Sequence, residues 1–82
     1  MIECVIVGSY REGMNISRGI AEISSVKKVC SSPYPYIEYS NGKEIIFVPH
    51  YKYREWSLGR TYMIGDTVYH SGCPIRLESD NE

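Results

Sequence analysis

Tyr36-Ile37-Glu38-Tyr39-Ser40-Asn41-Gly42-Lys43-Glu44-Ile45-Ile46-Phe47-Val48 is the stretch that decides the fold. Two runs rich in β-branched and aromatic residues flank Asn41-Gly42, and Asn-Gly supplies the two φ > 0 residues of a type I′ turn. The stretch therefore reads as a β-hairpin closed by a two-residue turn, with Glu38 and Glu44 on its two opposing strands. Pro49 ends its second strand.

Working outward, Ile2 to Val7 is a nearly continuous apolar run, which suits a strand buried on both faces and paired in parallel. Gly8 to Gly13 reads as a loop. From Asn15 onward, Ile16, Gly19, Ile20 and Ile23 recur at helical spacing, with Asn15 or Ser17 as the cap. Gly19 weakens that helix by about 1 kcal/mol relative to alanine. Val26 to Cys30 forms another strand, broken by Ser31-Ser32-Pro33-Tyr34-Pro35. Beyond the hairpin, His50 to Leu58 lacks strand alternation and Gly59 suits a C′ position, so a short helix is expected there. Thr61-Tyr62-Met63-Ile64 and Thr67-Val68-Tyr69 read as one last strand bent at Gly65-Asp66. The order is β-α-β-hairpin-(short helix)-β, an α/β or α+β domain over residues 1–76, and residues 77–82 are expected to be a frayed acidic tail.

The chain has 82 residues, 43% hydrophobic and 23% charged, with nine basic and ten acidic side chains. That length allows one domain with a small core, burying only roughly 60% of its unfolded surface. It excludes a two-domain enzyme with an interdomain cleft. A net charge of −1 gives no case for tight non-specific nucleic-acid binding. Glu3 stands where a signal peptide has a basic region, and the apolar run stops at Gly8, so neither a leader nor a membrane span is expected. Cys4, Cys30 and Cys73 are odd in number and form no CxxC, which points to reduced thiols and a cytoplasmic setting. Cys4 and Cys30 read as small buried hydrophobes.

Gly8-Ser9-Tyr10-Arg11-Glu12-Gly13-Met14-Asn15 follows a strand and precedes a helix, and its two glycines have the spacing of the phosphate-binding loop GxxxxGK[ST]. Further on come the Asn-Gly hairpin ending in Lys43-Glu44-Ile45-Ile46-Phe47, then Leu58-Gly59-Arg60, then Tyr62-Met63-Ile64-Gly65-Asp66. In that order, residues 2 to 66 resemble, in compressed form, the start of the ATPase domain of phage terminase large subunits and related helicase-like P-loop proteins. The resemblance implies phosphate binding by Gly8, Arg11, Gly13 and Asn15, with Asp66 as the metal-binding acid. Yet Met14 stands in place of the lysine that neutralises the β/γ charge, Asn15 in place of the hydroxyl that holds Mg²⁺, and Thr67 in place of the catalytic glutamate. What is implied is a degenerate, miniature P-loop protein without ATPase activity. The plainer reading of Gly8 and Gly13 is a strand-to-helix turn that needs permissive backbone.

No other catalytic constellation is present in the sequence. Only His50 and His70 could serve as a base beside a nucleophile. His70-Ser71-Gly72-Cys73 gives an HxxC spacing, half of a zinc site, and four ligands are needed. The expectation is no enzyme, no cofactor and no metal site.

Surface chemistry remains. Tyr51, Tyr53 and Trp56 interleave with Lys52, Arg54 and Arg60, and Tyr, Trp and Arg dominate binding hot spots. Tyr34 and Tyr36 share one strand face while Tyr39 takes the other. Eight tyrosines cannot all be buried with satisfied hydroxyls in so small a core. The expected function is a small protein-binding module that acts through the aromatic-basic surface of Tyr51, Lys52, Tyr53, Arg54, Trp56 and Arg60. On the resemblance, it is a phage-encoded inhibitor of a host protein, working in the host cytoplasm. A homodimer is expected to cover aromatic surface, and single-stranded nucleic acid is the lesser alternative partner.

Overall fold

The computed structural model describes residues 1–75; the residues read as an acidic tail, 77–82, lie outside them. In chain order the elements are β1 (Ile2–Val7), α1 (Tyr10–Ile23), β2 (Val26–Cys30), β3 (Tyr36–Tyr39), β4 (Glu44–Pro49), a 3-10 turn (His50–Lys52), α2 (Tyr53–Ser57), β5 (Thr61–Ile64), β6 (Thr67–His70) and β7 (Cys73–Pro74). The strands form one mixed sheet in the order β2-β3-β4-β1-β5-β6-β7. The fold is α+β. No helix among the described residues is long and apolar enough to cross a membrane.

The apolar run of β1 lies at the centre of the sheet, but its expected burial on both faces is incomplete, since Ile6 is 43% exposed. It pairs in parallel with β4 from Ile2↔Glu44 to Val7↔Pro49, and with β5 at Glu3↔Met63. All other neighbours are antiparallel.

The two-residue side-chain period of the strands divides the core in two. On one face Cys4, Ile46, Val48 and Tyr62 pack with Trp56 of α2, joined by half-buried Tyr34, Tyr36, Tyr53 and Tyr69. On the other, Val7, Ile37, Ile45 and Phe47 pack with Ile20 of α1, joined by Val26 and Tyr39. Tyr36 and Tyr39 thus fall on opposite faces, as the alternation requires.

Four local readings are corrected by the structure. The central hairpin is present with Glu38 opposite Glu44, but its turn is not the two-residue I′ form. Gly42 N–H donates to the Tyr39 carbonyl at 3.0 Å and Tyr39 N–H to the Lys43 carbonyl at 2.8 Å, which makes Ser40-Asn41-Gly42 a three-residue loop. Only Gly42 has positive φ, +93°, so this is a type I turn followed by a left-handed glycine. Asn41 accepts the Lys43 N–H through its Oδ1 at 2.9 Å, a local bond that holds the loop without asking Asn41 for φ > 0.

The helix begins at Tyr10, so residues 10 to 13 are not loop. Ser9 is the N-cap, its Oγ accepting the Glu12 N–H at 3.1 Å, while the Glu12 carboxylate accepts the Gly8 N–H at 2.6 Å. Ser-x-x-Glu is the pairing that satisfies a helix N-terminus, and it outcompetes Asn15 or Ser17 as the start.

The packed face of α1 is also different. Gly13 and Ser17 are buried, whereas Ile16 is 37% and Ile23 84% exposed. A Cβ on Gly13 would lie 3.1 Å from Phe47 Cβ and 3.2 Å from Pro35 Cγ. The helix approaches the sheet so closely at its first turns that the small Gly13 and Ser17 must face it, and of the isoleucine stripe only Ile20 packs there.

Finally, Gly65-Asp66 does not bend a strand but reverses the chain. β5 and β6 pair antiparallel from Thr61↔His70 to Ile64↔Thr67. Gly65, at φ +61°, takes the first central position of a two-residue turn, where a II′ geometry needs glycine.

Candidate functional site

The chain around Trp56 is built by local bonds. Ser57 Oγ donates to the Arg54 carbonyl at 2.9 Å, and Arg60 N–H to the Ser57 carbonyl at 3.0 Å. Gly59, at φ +70°, turns the chain out of α2, and its N–H donates to Ser71 Oγ at 2.8 Å. Ser71 N–H donates in turn to the Arg60 carbonyl at 3.0 Å. These bonds fix the backbone on both sides of Arg60, whose guanidinium sits 5.3 Å from the Trp56 ring centroid. The stack holds a planar charge against an aromatic face and leaves its outer edge available for bonding.

Trp56 itself is only 6% exposed, so the expectation that it stands on the surface is overturned. Its ring lies 4.9 Å from that of Tyr62, which stacks on Tyr69 at 5.8 Å. α2 lays Trp56 and Ser57 inward, and the indole is buried against the sheet. Tyr53 is half-buried, and its hydroxyl meets that of fully buried Tyr62. Burial, and then that contact, raise the Tyr53 phenol well above its ordinary range.

The remaining expected surface residues do not form one patch. Tyr51 is 61% exposed, with its ring edge-on to His50. Lys52 lies 4.0 Å from Glu55, an exposed pair of small energetic weight. Arg54 and Tyr53 line a separate depression of about 500 Å³ beside Leu58.

What the structure does bring together is Arg60 and Trp56 with the other aromatic cluster. After β2 the chain crosses through Pro33 and Tyr34 to β3, and Phe47 N–H holds that crossing by donating to the Pro35 carbonyl at 2.9 Å. Tyr34, Tyr36, Pro33, Cys30, Trp56 and Arg60 then line one groove of about 290 Å³. Burial first, then the Glu44 and Glu38 carboxylates and Cys30, keep the Tyr36 phenol above its usual range, so it presents a neutral hydroxyl. Among the described residues the groove is an aromatic recess with a single cation, Arg60, at its rim. The sequence signal for it was the spacing of Tyr34 and Tyr36; strand order was needed to join them to Trp56.

Of the residues assigned to phosphate, Gly8 lies in the turn before α1, Gly13 is on the buried face of α1, and Arg11 and Asn15 are exposed on it. They form no loop around a common point, and the Glu12 carboxylate occupies the Gly8 N–H. His70 and Cys73 are direct cross-strand partners, and His70 Nδ1 is 2.9 Å from Thr61 Oγ1. Among the described residues no group of three or more His, Cys, Asp or Glu side chains is placed to hold a metal ion. Cys4, Cys30 and Cys73 are free thiols.

No protein-family model, no curated protein and no solved structure matches the chain.

Proposed function

We propose that this protein is a non-enzymatic protein-binding module whose groove between Tyr34, Tyr36, Trp56 and Arg60 receives a side chain of its partner. The observation that carries this reading is convergence: two aromatic clusters some twenty residues apart line one recess. An apolar or aromatic side chain entering it would be buried against rings, with about 1.5–3 kcal/mol from burial alone. Arg60, already stacked, offers its N–H edge to a neighbouring carboxylate at little further cost in side-chain freedom. The preferred partner segment is therefore apolar with an adjacent acid. On the phage-ATPase resemblance that partner is a host protein, inhibited by the encounter in the host cytoplasm. Nucleic acid is the weaker fit, because among the described residues Arg60 is the one cation lining the groove and a strand needs a basic track beside its stacking platforms.

The test is affinity capture from host lysate with wild type, Arg60→Glu, Tyr34→Ala and Tyr51→Ala, identifying captured proteins by mass spectrometry. Arg60→Glu and Tyr34→Ala should each lose the partner while keeping the far-UV dichroism, and Tyr51→Ala should keep it. Undiminished capture by both groove variants would refute the assignment.

A further inference from the structure

On the opposite face of the sheet from that groove, α1 lies with Gly13 and Ser17 against the strands. This setting turns a polar row of the helix toward the chain that leaves β2. Arg11 and Arg18 are seven residues apart, two turns less about 20°, so their side chains rise from the same row. Asn15 lies between them. Together with Tyr10, Met14 and Ser31 they line a groove of about 690 Å³. The Tyr10 hydroxyl donates to the Ser31 carbonyl, which ties the helix to the crossing after β2 and fixes the ring as one wall.

Two like charges on one row repel each other. Neither arginine belongs to an ion pair among the described residues. Glu12, adjacent to Arg11 in sequence, is committed to the Gly8 N–H. Among the described residues no acid lines the groove, whereas Asn15 adds an amide donor. Guanidinium forks match phosphate oxygens in pairs, and two forks on one row suit a ligand carrying two linked phosphoryl groups better than a single carboxylate.

We propose that the Arg11–Asn15–Arg18 groove binds a small diphosphate-bearing ligand. The recognition is by side chains along the helix flank and not by backbone N–H groups of a glycine loop, so it stands apart from both the partner groove and the phosphate-loop pattern.

The test is calorimetric titration of the full chain with inorganic pyrophosphate at low ionic strength, alongside amide shifts in two-dimensional NMR. Saturable binding should shift Arg11, Asn15, Arg18 and Ser31 and weaken as salt rises. Arg11→Gln and Arg18→Gln should each weaken it by about tenfold, and the double variant should abolish it. Lys52→Gln, on the other face, should leave it unchanged. ADP separates the two sources of such a group. Tighter binding than pyrophosphate, with added shifts at Tyr10 and Met14, identifies a nucleotide; equal affinity identifies the diphosphate alone. The inference is overturned if wild type gives no saturable heat and no shifts, or if both single variants bind as wild type does. The single variants keep the test decisive should the double variant lose its fold.

Discussion

Two glycines in α1 should respond in opposite directions to the same substitution. Glycine in a helix interior is about 0.8–1.0 kcal/mol less favourable than alanine, so Gly→Ala carries that gain wherever a methyl group fits. At Gly19 the added Cβ meets nothing within 4 Å, and the whole gain should appear. At Gly13 it would lie 3.1 Å from Phe47 Cβ, 3.2 Å from Pro35 Cγ and 3.5 Å from Val7 Cγ2. Phe47 sits in the strand next to the central one, and its N–H is bonded to the Pro35 carbonyl, so neither neighbour can withdraw cheaply. Overpacking of this kind costs about 1–3 kcal/mol, which cancels or outweighs the helix gain. Gly19→Ala should therefore raise stability by about 1 kcal/mol, and Gly13→Ala should lower it by about 0–2 kcal/mol. In a domain of this size 1 kcal/mol moves Tm by roughly 4–8 °C. The assay is urea unfolding followed by Trp56 fluorescence and far-UV dichroism, with an unchanged slope taken as the sign that only stability moved. If Gly13→Ala stabilises as much as Gly19→Ala, the helix does not lie on its small face. The row bearing Arg11 and Arg18 would then point elsewhere, and the diphosphate groove would fall with it.

Two further outcomes follow from burial. Trp56→Ala removes the largest side chain of the α2 face and should cost about 3–5 kcal/mol by urea unfolding, whereas Tyr51→Ala should stay within about 0.5 kcal/mol of wild type; equal effects would mean that Trp56 is not core. Burial pushes the Cys4 thiol from 9.0 up to about 12. The folded chain then keeps a proton that the unfolded chain loses, so this contribution is complete below the unfolded value and declines as pH rises toward the folded one. The slope is at most about 1.4 kcal/mol per pH unit for this proton. Urea midpoints above pH 9 should fall less steeply with pH in Cys4→Ala than in wild type, and identical slopes would contradict the assignment.

The elements that were legible in the sequence are those governed by local chemistry. Asn41-Gly42 announced a chain reversal, and the apolar run of β1 announced a central parallel strand; both are present. The turn type was misread because Asn-Gly also satisfies a type I turn with a following left-handed glycine, and only the register distinguishes the two. The helix start was obscured by attention to glycine spacing, although Ser9 and Glu12 already carried the capping signature. The packed face of α1 was misassigned for a more general reason. An apolar stripe marks the buried face only when the helix stands off at ordinary distance, and a close approach selects Gly13 and Ser17 instead. The groove of Tyr34, Tyr36, Trp56 and Arg60 was beyond reach, since it depends on β2 and β3 lying beside β4 on the side where α2 packs.

The tyrosine excess is a consequence of this architecture before it is a sign of function. A sheet covered on one face by α1 and on the other by a five-residue α2 has two cores, each one side chain deep. At the shallow positions of such a layer tyrosine covers the strand with its ring and gives its outer end a hydroxyl, while Phe47 takes a fully buried position under α1. The side chains use it in that way. Tyr62 is fully buried and shares its hydroxyl with Tyr53, Tyr10 ties α1 to Ser31, and Tyr34, Tyr36, Tyr39 and Tyr69 are half-buried. Only Tyr51 projects without such a part, and it lies outside the groove. A tyrosine count therefore points to no site by itself. What singles out Tyr34 and Tyr36 is that both rings line one recess together with Trp56 and the arginine stacked on it.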